Sequence, residues 1–71
     1  MTNKLKNFGM FTESDYTNRT LEECSKIAET NGYSTRVIEK DGDSFILTMD
    51  FRSDRINLRL RRNIVIGAHV G

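Results

Sequence analysis

Seventy-one residues with a net charge of +1, 37% apolar and including one cysteine, make a single small domain. A chain of this size forms one two-layer core and leaves little room for the cleft of a small-molecule enzyme, so no enzymatic activity and no cofactor are expected. The near-neutral balance gives no general pull toward nucleic acid or membrane, and a lone cysteine excludes an intrachain disulfide.

Residues 1–12 show no clean period. Phe8, Met10 and Phe11 are apolar, but Gly9 breaks the run, so the segment reads as a flexible N-terminal arm ahead of a domain spanning residues 13–71. Residues 13–19 are polar and turn-like, with Tyr16 as an anchor. No apolar run approaches the ~18 residues of a membrane span. The first twenty residues also lack the apolar stretch of a signal peptide. A cytoplasmic location is therefore expected. A secreted protein whose signal peptide has been removed is the alternative, and Met1 argues against it.

Thr20 and Glu23 have the spacing of a capping box, and Glu22 and Glu23 suit the positive end of a helix dipole. Leu21, Cys24, Ile27 and Ala28 then recur at helical spacing, and Asn31-Gly32 supplies a left-handed stop. Tyr33 to Glu39 reads as a strand centred on Val37 and Ile38. Asp41-Gly42 marks a turn. Residues 55–61 alternate, with Ile56, Leu58 and Leu60 on one face and Arg55, Asn57, Arg59 and Arg61 on the other, as in a half-buried strand. Arg62-Asn63 reads as a hairpin turn, and Ile64 to Val70 as a last strand. The expected fold is α+β, with one helix packed on a small mixed sheet of three to four strands.

Residues 43–54 admit two readings. Phe45, Leu47, Met49 and Phe51 alternate with Ile46, Thr48 and Asp50, so the segment fits a hairpin strand that would complete a meander. It equally fits an extended, exposed loop between two parallel strands. As a loop it has a specific chemistry. Met49 lies between two hydrogen-bond acceptors, Thr48 and Asp50, and Arg52 and Arg55 follow as donors.

The run Thr48-Met49-Asp50-Phe51-Arg52-Ser53-Asp54-Arg55-Ile56-Asn57-Leu58, with the terminal His69-Val70-Gly71, resembles the potato inhibitor I family of serine-protease inhibitors. The Asp-Arg-Ile-Asn-Leu portion is closer still to the fungal elastase inhibitor family and its bacterial relatives. The resemblance covers roughly residues 20–71, from the capped helix onward. It implies a protease-binding loop of Leu47, Thr48, Met49, Asp50 and Phe51, with Met49 entering the primary specificity pocket and Met49–Asp50 as the scissile-like bond. It implies support from Arg52, Arg55, Asn57 and Gly71, with Arg55 reaching back under the loop. Asn57 stands where potato-type inhibitors carry a second arginine. The stretch between Gly42 and Met49 is about two residues longer than in potato-type inhibitors, which adds slightly to its ordering cost. No proline pre-sets its backbone. The implied partner is a serine protease of chymotrypsin or subtilisin type, since Met49 suits an apolar pocket.

The competing expectations are blander. A non-inhibitory interaction module on the same scaffold is one, with a homodimer through Phe8 to Phe11 as a version of it. Nucleic-acid binding through Arg55, Arg59 and Arg61 is weaker, because no aromatic side chain shares that face to stack a base. Cys24 reads as a buried, inert thiol. His69 reads as a decoration of the last strand, and no metal-ligand cluster is evident.

Overall fold

A computed structural model describes residues 11–71. The chain runs through a 3-10 turn (Glu13–Asp15), helix α1 (Leu21–Thr30) and strands β1 (Ser34–Lys40), β2 (Asp43–Ser44), β3 (Arg55–Arg61) and β4 (Ile64–Val70). The strands form one mixed sheet in the order β2-β1-β3-β4. β1 and β3 are parallel, while β1–β2 and β3–β4 are antiparallel. This is the expected α+β domain of one helix on a small mixed sheet.

Helix α1 begins as its local chemistry demands. Thr20 Oγ1 accepts from the Glu23 amide at 3.2 Å, and the Glu23 carboxylate accepts from the Thr20 amide at 2.9 Å, which satisfies two otherwise orphaned donors. Gly32 closes it at φ +88°, in the left-handed region. Thr20→Ala removes half of this box and is expected to lower the unfolding free energy by about 1 kcal/mol, read from the urea midpoint.

The core joins Cys24 and Ala28 of the helix to Ile56, Leu58 and Leu60 of β3, Val65 and Ala68 of β4, and Tyr16. Tyr16 thus anchors the turn-like segment, and Phe11 stacks on its ring at 5.6 Å. Phe11 packs against the core although it falls in the stretch read as a flexible arm. The rest of that arm, including Phe8 and Met10, lies outside the described residues. Cys24 is fully buried, and its thiol donates to the Tyr16 carbonyl at 2.9 Å. Burial pushes its pKa up, as befits an inert side chain.

The outer edge of β4 is closed by the segment before the helix. The Asn18 amide donates to Val65 O, the Val65 amide to Arg19 O, and the Ala68 amide to the Glu13 carboxylate. A row of unpaired backbone groups is thereby removed from the sheet edge. The β3–β4 hairpin turns at Arg62 and Asn63, with φ of 53° and 66°. Two successive positive values match a turn whose twist suits a two-residue hairpin.

The parallel pairing of β1 with β3 decides between the two readings of residues 43–54. A chain entering β3 parallel to β1 must first travel back along the sheet. Asp43 and Ser44 pair with β1 on the way, turning at Asp41 and Gly42, and the Phe45 amide adds one last bond to the Ile38 carbonyl. Beyond Ser44 no residue before Arg55 belongs to a strand. The meander with Met49 in a paired strand is therefore not formed, and the segment is an exposed loop.

β3 departs from the half-buried strand read from its alternation. Its core face is buried as expected, but Arg55 and Asn57 on the other face are buried too, at 9% and 4% exposure. Arg36, the loop backbone and Gly71 cover them. Alternation predicts which way a side chain points, and not whether a later piece of chain lies over it.

Candidate functional site

The loop presents its apolar side chains to solvent. Met49 is 98% exposed, Ile46 is fully exposed, and Phe45 and Phe51 stand out on either side. Leu47 is less exposed than these. Soluble domains rarely leave so many large apolar side chains together in water unless a partner covers them.

The residues flanking Met49 are tied down from below. Arg55 starts β3, and its side chain is nearly buried. Its Nη2 donates to the Asp50 carbonyl oxygen at 2.9 Å and to the Gly71 oxygen at 2.7 Å. Its Nη1 lies 3.7 Å from the Asp50 carboxylate. Each contact carries a full charge on the donor, which makes it stronger than a neutral hydrogen bond. Gly71 completes the clamp: its oxygen also accepts from the Arg52 amide at 3.0 Å, and its own amide donates to Arg55 O at 2.9 Å. A Cβ on Gly71 would meet the Asn57 side-chain nitrogen at 3.0 Å, so Asn57 would have to shift to admit one.

Thr48 is held by a residue that the sequence reading missed. Arg36 of β1 donates from Nη1 to Thr48 Oγ1 at 3.2 Å and from Nε to Asn57 Oδ1 at 2.9 Å. Asn57 does not contact the loop as a weaker stand-in for an arginine. It orients the arginine that does. Arg36 and Asn57 are register partners across the parallel β1–β3 pair, and Asn57 is opposite His69 across β3–β4. The Asn57 amide nitrogen lies 3.3 Å from His69 Nε2. His69, read as a decoration, thus ends a three-residue row beneath the loop. The signal available in the sequence was Arg36 itself, a charged residue on the same side of its strand as the loop supports. It pointed nowhere until the strand pairing was known.

Arg52 differs from its expected role. Its guanidinium forms a two-pronged pair with Asp54 at 3.1 Å on each prong, and makes no hydrogen bond to Thr48 or Asp50 among the described residues. It serves the loop through its main chain only, by the amide bonded to Gly71. Both groups of the pair are about half exposed, so the pair adds little stability.

The electrostatics of the loop favour an ionised Asp50. A hydrogen bond from the Thr48 hydroxyl holds its carboxyl below the usual carboxylate range. Its own amide and the charges of Arg55 and Arg36 act in the same direction. Asp54 is lowered as well, chiefly by its hydrogen bond to Arg52. A carboxyl whose folded pKa is depressed contributes fully above its unfolded value, near 3.9, and loses that contribution as pH falls through the lower folded value. The Asp50 side-chain carboxyl carbon, which reports its own ionisation, is therefore expected to stay flat from about pH 7 to about pH 4 and to move only below that, in an NMR titration.

Among the described residues no three or more His, Cys, Asp or Glu side chains are grouped to hold a metal ion. No helix there is long and apolar enough to cross a membrane. Arg59, offered as part of a basic face, lies 3.9 Å from the Glu39 carboxylate. No protein-family model matches the chain, and no curated protein matches it.

Proposed function

We propose that this protein is a serine-protease inhibitor that offers residues 47–51 as a substrate-like loop, with Met49 filling the primary pocket of the protease. One observation carries the reading: Met49 is almost wholly exposed while Thr48 and Asp50, its neighbours, are each bonded to an arginine rising from the sheet. A protease takes its substrate in extended form, with one side chain seated in a pocket. A loop already fixed in a single exposed conformation loses less entropy on binding than a free peptide. The tethers also keep the two sides of the Met49–Asp50 bond together if it is attacked. No disulfide is needed, because charge-assisted hydrogen bonds provide the restraint.

The resemblance to the potato inhibitor I and fungal elastase inhibitor families supports the same reading, as does the unbranched apolar side chain at position 49. An apolar pocket of chymotrypsin or subtilisin type fits Met49, and a pocket carrying a negative charge does not. Prolonged incubation with such a protease tests the assignment. The first cut is expected between Met49 and Asp50, identified by mass spectrometry. A first cut after Phe45 or Phe51 would remove Met49 from the primary pocket. Binding with full retention of protease activity would assign the loop instead to a non-inhibitory interaction module, the reading that the spread of apolar side chains from Phe45 to Phe51 also accommodates.

A further inference from the structure

A row of side chains crosses the sheet from β1 through β3 to β4, and its order of donors and acceptors is fixed from one end. Arg36 can only donate, so its Nε bond at 2.9 Å requires the Asn57 oxygen to face it. The Asn57 amide nitrogen must then face His69, whose Nε2 lies 3.3 Å away. Nε2 can accept that N–H only in a neutral imidazole that carries its proton on Nδ1. On the loop side, Arg36 Nη1 donates to the Thr48 hydroxyl at 3.2 Å, and that hydroxyl bonds the Asp50 carboxylate. One chain of bonds thus links an exposed imidazole to both residues that flank Met49.

Resting on the inhibitor reading, we propose that His69 is a positioning residue that makes the loop sensitive to protons: its neutral ring keeps Asn57 turned toward Arg36, and protonation of the ring releases Arg36 from the row. Histidine is the side chain whose charge ordinarily changes between about pH 8 and about pH 5. A proton on Nε2 sets one donor against another. Asn57 is 4% exposed, so its N–H finds no water to replace the lost acceptor. Turning the amide over offers its oxygen to the imidazolium, but its N–H then faces Arg36 Nε, again donor against donor. No orientation of Asn57 serves both cations. If the ring swings out instead, a buried N–H is left unpaired. If the amide turns, its oxygen and the ring are both paired, and the half-buried Arg36 takes water.

A carboxylate beside the ring could hold the imidazolium in place, and among the described residues none does. The charged groups on its face of the sheet are the cations Arg36 of β1 and Arg55 and Arg59 of β3. The Arg59 guanidinium lies over Gly67, where a Cβ would collide with it. The nearby carboxylates are engaged elsewhere. Glu39 lies 3.9 Å from Arg59, Asp50 is held by Thr48 and Arg55, and Glu13 of the 3-10 turn takes the Ala68 amide. The neutral ring is the holding form, so the row is complete near pH 8 and comes apart toward pH 5. Carboxyl groups ordinarily titrate at about 4, so Asp50 stays charged across this range and the change belongs to His69. A loop freed at Thr48 costs more to order on its protease, so affinity falls with pH.

The test measures inhibition constants of the wild type, His69→Gln and His69→Lys against the chymotrypsin- or subtilisin-type protease that the wild type inhibits, from about pH 8 to about pH 5. Each variant is compared with the wild type at the same pH, so the protease's own titration cancels. Glutamine offers a carbonyl oxygen to Asn57 at every pH, and lysine presents a charged donor at every pH. His69→Gln is expected to match the wild type at the alkaline end and to bind about fivefold tighter than it at the acid end. His69→Lys should be about fivefold weaker at the alkaline end and equal at the acid end. A ratio of wild type to His69→Gln that stays flat with pH overturns the proposal. A second readout needs no protease: an NMR titration of the free protein. The Arg36 Nε–H and the Asn57 side-chain amide are expected to move in step with the His69 ring protons, and His69→Gln should hold both still. If the ring titrates while the Arg36 Nε–H does not move, the ring swings out alone and the proposal fails. If the wild type inhibits no protease, the inhibitor reading falls by itself, and the NMR titration still decides whether His69 governs Arg36.

Discussion

Met49→Gly is expected to reduce inhibition of a chymotrypsin- or subtilisin-like protease by about a hundredfold or more, while leaving the fold unchanged. The size follows from what the side chain does in each state. In the free protein it is 98% exposed and contributes no packing, so its removal costs no stability. In a complex it would be buried in the primary pocket. Burying a methionine side chain is worth about 1.5–3 kcal/mol, and truncating a central interface anchor costs about 2–4 kcal/mol. At roughly 1.4 kcal/mol per tenfold, the upper part of that range passes a hundredfold. Glycine also frees the backbone at the crest of the loop, adding to the ordering cost. Inhibition constants for the two proteins, with urea unfolding curves beside them, check the result. An unchanged inhibition constant would place the contact elsewhere on the molecule.

Arg55→Ala is expected to lose most of the inhibition and to lower the unfolding free energy by about 3 kcal/mol. Unlike Met49, Arg55 belongs to the folded structure as much as to the site. Its Nη2 satisfies two main-chain oxygens, of Asp50 and Gly71, and hydrogen bonds from a charged donor are worth about 1.5–3 kcal/mol each. The ion pair with the Asp50 carboxylate is long and Asp50 is largely in water, so it adds little. A domain of this length has only about 4–10 kcal/mol in total. The variant should therefore remain folded with a lowered urea midpoint, its loop untethered after Met49. Because the clamp joins the loop to Gly71, the Gly71 amide should lose hydrogen-exchange protection together with the Arg52 amide. Retention of protection at both would show that the backbone, and not the guanidinium, holds this end of the loop.

The parts of the molecule that were legible in the sequence are those governed by neighbours along the chain. The Thr20–Glu23 box, the Gly32 stop, the Arg62-Asn63 turn and the alternation of Ile56, Leu58 and Leu60 each follow from residues within a few positions of one another. Arg55 was legible as a donor near the loop, and the resemblance gave it the place of the residue that reaches back beneath it. Arg36 was not. Its contact with Thr48 requires β1 to lie parallel to β3, and the pairing of distant strands leaves no mark on the periodicity of either. The same gap explains Asn57. Taken alone, a neutral residue beneath the loop reads as a weakened support. Across the register from Arg36, it becomes the platform that aims a charged one. The ambiguity of residues 43–54 had the same origin, since alternating apolar residues suit an exposed loop that offers them to a partner as well as a strand that buries them.

The central proposal is that a tethered, exposed Met49 loop inhibits a serine protease. The most direct test is titration of the wild-type protein against chymotrypsin- and subtilisin-type enzymes, following residual activity and the integrity of the chain together. The expected result is an inhibition constant of about 1 μM or tighter, a binding free energy of about −8 kcal/mol, with the bulk of the protein recovered uncut. Full protease activity across the panel at high concentrations of this protein, or rapid cleavage at Met49–Asp50 without inhibition, would contradict it.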